Sequence, residues 1–139
     1  MKAFDADVLT LMAEGDTAYL QKAALIPAAE QSVPIVVAEQ LLRGRLNTIR
    51  QAQSAKAKVT IEFAYQLLER TIIDLGQFSI LAHSQHAELL VQSWRKQKIK
   101  VGISDLRIAA ICVAHSAKLI SRNRRDFEQV PGLQVDYWS

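Results

Sequence analysis

Residues 2–11 read Lys2-Ala3-Phe4-Asp5-Ala6-Asp7-Val8-Leu9-Thr10-Leu11. The apolar pair Ala3-Phe4 runs straight into Asp5, and apolar character resumes at Val8 after one further acid. The stretch reads as the end of a first strand followed by a helix from about Val8. An acid at that junction stands at the carboxyl end of a strand, where open α/β sheets place their sites. An Asp just before a helix is also a common turn or N-cap residue. Asp5 and Asp7 therefore keep both readings until the rest of the chain is considered.

Working outward, the 139 residues suit one domain, taken as residues 1–139, and a 50% hydrophobic content is enough to bury a core without covalent staples. A single cysteine, Cys112 in the apolar run AAICVAHS, excludes an internal disulfide framework and reads as a core thiol. No signal-like segment is evident, and no apolar run approaches the roughly 18 residues of a membrane span. A cytoplasmic location is the expectation. The formal charge of +3 is compatible with a polyanionic partner without requiring one.

Alternation of strands and helices continues along the chain. Residues 8–13 and 16–31 read as helices, the second broken or kinked by Pro27. The β-branched run Val33-Pro34-Ile35-Val36-Val37 reads as a buried second strand, leading at Ala38 into a helix that runs to about Ala52. Residues 59–75 are amphipathic at helical spacing. Residues 78–81 form a third strand, 83–98 a helix and 101–104 a loop. Asp105 opens a helix over 106–116 that is apolar nearly all round, as befits a buried helix. Residues 118–121 form a fourth strand, 122–128 a polar turn or short helix, and 134–138 a last strand. The expectation is an α/β domain with a central, mainly parallel sheet of four to five strands, flanked by helices on both faces.

Four acids then share one kind of location. Asp5 follows strand one, Glu39 lies in the first turn of the helix after strand two, Asp105 opens the buried helix, and Asp126 follows strand four. In a parallel sheet the strand ends fall along one edge, so these carboxylates can converge. Clustered carboxylates repel and stay ionised together only when neutralised or well solvated. All-oxygen ligands suit Mg²⁺ or Mn²⁺, whereas His83, His86, His115 and Cys112 show no zinc-ligand spacing. A carboxylate-held divalent metal beside basic groups points to phosphoryl chemistry, with a metal-activated water attacking a phosphodiester. Arg43, Arg45, Arg50, Arg107, Arg122, Arg124 and Arg125 lie close to these acids in sequence and are candidates to hold a nucleic-acid backbone. Taken singly, the same residues also read as helix-dipole partners, caps and a solvated face.

The chain resembles the PIN-domain family, and within it the VapC-type toxins of toxin–antitoxin pairs. The likeness is carried by Phe4-Asp5-Ala6-Asp7-Val8-Leu9, Glu39-Gln40-Leu41-Leu42-Arg43-Gly44 and Asp105-Leu106-Arg107-Ile108-Ala109-Ala110. It is completed by Ser121-Arg122-Asn123-Arg124-Arg125-Asp126-Phe127, then Val130-Pro131-Gly132-Leu133 and Asp136-Tyr137-Trp138. The resemblance implies a metal-dependent endoribonuclease, dimeric, inhibited by a cognate antitoxin. Asp5, Glu39 and Asp105 would be metal ligands and Asp126 a fourth acid, supported by Asn123, Ser121 and Asp7. Arg43, Arg45, Arg107, Arg122 and Arg124 would contact RNA or antitoxin. The chain departs from the family pattern in having Ser121 for the usual Thr, Asp7 for the usual Asn, and Glu39 five residues before Gly44 rather than four, with Gln40 in the other register. Two further readings compete: a haloacid-dehalogenase-like phosphatase, from Asp5-Ala6-Asp7 and Thr10 with Asp5 as nucleophile, and a PIN-fold protein that binds an antitoxin without cleaving RNA. The expected dimer surface is 59–75 or the earlier helix with Tyr19 and Leu25, where apolar side chains exceed what one sheet face can cover.

Overall fold

A computed structural model describes residues 1–138. Five strands form one fully parallel sheet in the order β3-β2-β1-β4-β5. They are β1 (Lys2–Phe4), β2 (Gln31–Pro34), β3 (Ser79–Leu81), β4 (Lys118–Ser121) and β5 (Val135–Tyr137). Successive strand residues point to opposite faces. Ala3 and Phe4, and likewise Leu119 and Ile120, are fully buried, so both faces of the sheet are covered. This is the expected α/β architecture.

The helices are α1 (Ala6–Ala13), α2 (Thr17–Ala24), α3 (Ile35–Ala52), α4 (Ile61–Leu75), α5 (Gln85–Lys96), α6 (Ile103–Ala114) and α7 (Arg124–Phe127). Side-chain oxygens of Asp5, Asp16, Thr60, Ser84 and Asn123 cap α1, α2, α4, α5 and α7, satisfying backbone donors that the helix leaves free. The expected 16–31 helix ends at Ala24, and Pro27 instead leads a 3₁₀ turn, Ala28–Glu30. Gly15 turns the chain between α1 and α2 at φ 86°, a conformation that glycine adopts without steric penalty. As expected, α6 is buried, with Leu106, Ile108, Ala109, Ala110, Ile111 and Cys112 all inside.

Two further boundaries differ from the expectation, and both move a candidate acid. The β-branched run does not continue as a strand: β2 stops at Pro34, and Ile35 begins α3. A short apolar run is ambiguous between strand and buried helix, and here Val36, Val37 and Ala38 bury themselves as the inner face of a helix. Glu39 is thus the fifth residue of α3, beyond its first turn. Likewise residues 103–104 are helical rather than loop. Gly102 is the N-cap of α6, and Asp105 is the third residue of that helix instead of its cap. A carboxylate there still lies in the first turn, where the helix dipole favours it.

The strand order reverses beside β1. The chain passes outward from β1 to β2 and β3, then returns to place β4 on the other flank of β1. The carboxyl ends of β1 and β4 therefore border the crevice in which doubly wound sheets bind ligands.

Candidate active site

Asp5 sits at that crevice. Its backbone N–H donates to the Ile120 carbonyl at 2.9 Å, prolonging the β1–β4 ladder by one residue. One carboxylate oxygen, Oδ1, accepts the Ala6 N–H at 2.8 Å, and Oδ2 accepts the Ser121 hydroxyl at 2.7 Å. Asp5 is only 8% exposed. Burial pushes its pKa up; the bonds from Ser121 and Ala6 oppose that rise, and the Asp7 charge adds to it.

Ser121, the last residue of β4, is fully buried and also accepts the Asn123 N–H at 3.0 Å. Asn123 caps α7, taking the Asp126 N–H on its side-chain oxygen at 3.3 Å. Its side-chain amide donates to Asp126 Oδ2 at 3.0 Å and to Asp105 Oδ2 at 3.4 Å. A continuous hydrogen-bonded path therefore runs Asp5–Ser121–Asn123, branching to Asp105 and Asp126. Asp105 is half-buried, and its carboxyl is pushed up to about 6, chiefly by burial and then by the charges of Asp5, Asp126 and Asp7. Asp7 itself is exposed in the first turn of α1 and contributes field rather than contact.

No Lys, Arg or His among the described residues forms an ion pair with Asp5, Asp105 or Asp126. The cluster thus concentrates negative charge without a protein counter-ion. Carboxylate oxygens around such a charge deficit match the preferences of Mg²⁺ or Mn²⁺. They are not a closed cage: among the described residues no three of His, Cys, Asp and Glu stand close enough to hold an ion as they are.

Glu39 lies apart from the network. It is exposed on α3 and forms an ion pair with Arg43, one turn further on. That pair was visible in the sequence as an acid four residues ahead of a base. Gln40, in the alternative register, is partly buried.

The candidate basic residues divide. Arg45 is partly buried, donating from Nε to the Thr71 hydroxyl at 2.9 Å and tying α3 to α4. Arg107 approaches Glu88 at 4.0 Å. Arg124 pairs with Glu128 and stacks 4.2 Å above the Tyr137 ring. Arg122 is exposed. Sequence reading missed the junction formed by Glu88 with Arg107 and with His83, which lies 3.3 Å from Glu88. The His83 contact is local to the start of α5, whereas the Arg107 approach depends on the packing of α5 against α6, which sequence spacing does not announce. A largely apolar surface groove lies elsewhere, between α1, α2, α3 and α4, walled by Leu9, Met12, Leu41, Leu75 and Phe78. Cys112 is buried with its thiol pushed up to about 12, as a core thiol should be.

The fold and the acid-lined switch point define a PIN-like α/β domain. No family model matches the chain. It is similar to the protein named Ribonuclease VapC1 of Rickettsia felis, 29% identical over 102 residues that span 73% of this chain and 71% of that protein. In three dimensions it is similar to a toxin–antitoxin complex from Klebsiella pneumoniae, with a TM-score of 0.72, 22% identity, and coverage of 96% of this chain and 95% of that one. It is also similar to VapBC2 from Rickettsia felis bound to a DNA fragment from its promoter, with a TM-score of 0.75, 19% identity and coverage of 99% and 98%. The chain has the fold of the VapC-type PIN-domain proteins that its motifs resemble.

Proposed function

We propose that this protein is a metal-dependent endoribonuclease, the toxin component of a toxin–antitoxin pair. The observation that carries the reading is the uncompensated carboxylate cluster of Asp5, Asp105 and Asp126 at the β1/β4 switch point, in a chain similar to a protein named Ribonuclease VapC1. Asp5 and Asp105 would hold the ion, with Glu39 joining by releasing Arg43 and Asp126 acting through water. A bound Mg²⁺ or Mn²⁺ would supply an activated water and charge neutralisation at the scissile phosphate. The chain's own contribution is to fix the carboxylates. Ser121 and the Ala6 N–H lock both oxygens of Asp5, and Asn123 spaces Asp105 from Asp126 with a shared donor. Burial removes water from Asp5, which makes a cation the favourable partner for its charge.

The partners in this reading are RNA as substrate, an antitoxin protein as inhibitor and a second copy of the chain. Exposed Phe63, Tyr65, Ile72 and Ile73 on α4, and Leu20 and Leu25 at α2, are the apolar surfaces available for protein contacts. Among the described residues no helix is long and apolar enough to cross a membrane.

The test is cleavage of RNA with Mg²⁺ or Mn²⁺, comparing the native protein with Asp5→Ala and Asp105→Ala. Loss of cleavage in both, and in EDTA, is the expected result; cleavage indifferent to both substitutions removes the site. Phosphate release from a small ester, abolished by Asp5→Ala and without RNA cleavage, would favour the phosphatase reading. A protein that binds an antitoxin and never cleaves RNA would be the silent alternative.

A further inference from the structure

The positive charge of this chain is not spread evenly. Residues 40–60 contain Arg43, Arg45, Arg50, Lys56 and Lys58 and no Asp or Glu, whereas the whole chain has 17 Lys and Arg against 14 Asp and Glu. Outside this segment acids outnumber bases. The excess of cations therefore lies on the outer part of α3 and the turn leading to α4.

The helical repeat orders these residues. Arg43, Asn47 and Arg50 follow one another at spacings of four and three, which places them on one stripe of α3. All three are exposed, and they border a shallow depression with Gln40, Gly44 and Leu46. At 1.5 Å per residue the stripe covers roughly 10 Å of helix. Lys56 and Lys58 follow the end of α3, both are exposed, and they line a neighbouring depression with Thr48 and Gln51. Glu39, one turn before Arg43, lies at the end of the stripe nearest the sheet. Arg50 bonds only to Asn47 on the same stripe, and neither Lys56 nor Lys58 is in an ion pair among the described residues.

We propose that this stripe, Arg43, Asn47 and Arg50, together with Lys56 and Lys58 beyond the helix end, binds the sugar–phosphate backbone of a double-stranded stem in the RNA substrate. The choice of a stem follows from the side chains. Single-stranded nucleic acid is held by aromatic platforms that stack its bases, and residues 40–60 contain no Phe, Tyr or Trp. Double-stranded RNA is recognised through phosphates and 2′-hydroxyls by shape. Cations interleaved with Gln40, Asn47 and Gln51, which can hydrogen-bond hydroxyls, have that chemistry. Charge complementarity supplies the attraction, and the continuity of the stripe with Glu39 aims the bound RNA toward the acid-bearing end of the sheet.

The proposal rests on the ribonuclease reading, so its test omits divalent metal and reads binding alone. The native protein and the triple variant Arg50→Gln/Lys56→Gln/Lys58→Gln are titrated, in EDTA, against a labelled RNA stem and a single strand of equal length, over a range of salt. Arg43 is left intact because it pairs with Glu39. Native protein should prefer the stem. The variant should bind it at least about tenfold more weakly, with the slope of log affinity against log salt shallower by about 2. Arg50→Lys, which keeps the charge, should restore most of the binding lost by Arg50→Gln. Undiminished stem binding by the triple variant overturns the proposal. So does a native protein that takes the single strand as tightly as the stem, or binds neither. Tighter binding of a polyglutamate peptide, lost in the same variant, would give this face to an acidic protein partner instead. A native protein that binds the stem through these residues yet cleaves no RNA with Mg²⁺ or Mn²⁺ leaves the surface standing and removes the nuclease.

Discussion

The Ser121 hydroxyl donates to Asp5 Oδ2 at 2.7 Å while accepting the Asn123 N–H at 3.0 Å, joining two residues 116 positions apart in the chain. Ser121 is fully buried, so water cannot replace it. Ser121→Ala should therefore leave one oxygen of a buried carboxylate and one backbone N–H without partners, at a cost of about 1–3 kcal/mol. Ser121→Thr keeps the hydroxyl and should recover the bond if the added methyl fits. Urea denaturation measures the stability difference, and RNA cleavage with Mg²⁺ should fall in the alanine variant and largely return in the threonine variant. Equal activity in the two variants would show that the hydroxyl does not position Asp5 for catalysis.

The pKa of Asp105 sets a pH dependence of opposite sign to that of a salt-bridged acid. Its carboxyl is pushed from 3.8 to about 6 in the folded protein. The native state thus holds this proton more tightly than the unfolded chain does. The associated stabilisation is fully present below the ordinary carboxylate value and is lost as pH rises through about 6. Asp105 is partly exposed, so solvent screening reduces the effect to roughly 1 kcal/mol. In EDTA, Asp105→Asn should be more stable than the native protein at neutral pH and lose that advantage near pH 4. Saturating Mg²⁺ should raise the melting temperature of the native protein and not of the variant. A variant less stable than native at every pH contradicts the electrostatic account.

Much of the fold was legible because the signals were local or periodic. Five strands, α1, α4, α5 and the buried α6 follow from apolar patterning and from polar caps. The start of α3 was not legible. Ile35-Val36-Val37 favours a strand by intrinsic propensity, yet the run packs as a helix against the sheet, and tertiary burial overrides propensity. Asp105 was misplaced as a cap for a related reason: Gly102 can cap without a side chain, so no polar residue marks the true helix start. In the site, Asp5, Asp105 and Asp126 were singled out from their positions at element ends, and Ser121 and Asn123 only from the family resemblance; the structure joins the five in one hydrogen-bonded path. The Arg45–Thr71 bond and the approach of Arg107 to Glu88 depend on which helices pack together, and single-sequence spacing carries no record of that.

Glu39 and Gln40 pose a choice that the metal can settle. Glu39 is exposed and paired only with Arg43, so the pair contributes no more than about 0.5 kcal/mol to stability. Glu39→Gln should therefore leave the unfolding midpoint almost unchanged. As a ligand, however, it should weaken Mn²⁺ binding and reduce cleavage by about 100-fold, a loss typical of removing a catalytic electrostatic contact. Gln40→Ala should do neither. Arg43→Gln should tighten Mn²⁺ slightly, because Glu39 no longer has to leave a cation to reach another. Calorimetric titration with Mn²⁺ separates the cases, and identical metal affinity in native protein and Glu39→Gln would remove Glu39 from the site.

Asn123 has two tasks that substitution can separate. Its oxygen caps α7 by accepting the Asp126 N–H, and its amide donates to both Asp105 and Asp126. Asn123→Asp keeps the cap, since a carboxylate is as good an N-cap as an amide. It also replaces a shared donor with a further negative charge beside two carboxylates, where like charges disfavour ionisation. The aspartate variant should thus approach native stability at acidic pH and lose stability toward neutrality, while Asn123→Ala should cost about 1 kcal/mol through the lost cap. Both should cleave RNA poorly, and adding Mg²⁺ at neutral pH should stabilise the aspartate variant more than the alanine variant, because the ion also offsets the added charge. Denaturation of the two variants at two pH values, with and without Mg²⁺, checks the stability expectations, and an RNA cleavage assay checks the activity. If the aspartate variant matches native stability at both pH values while the alanine variant loses about 1 kcal/mol at both, the amide donor has no electrostatic role and Asn123 is a helix cap only.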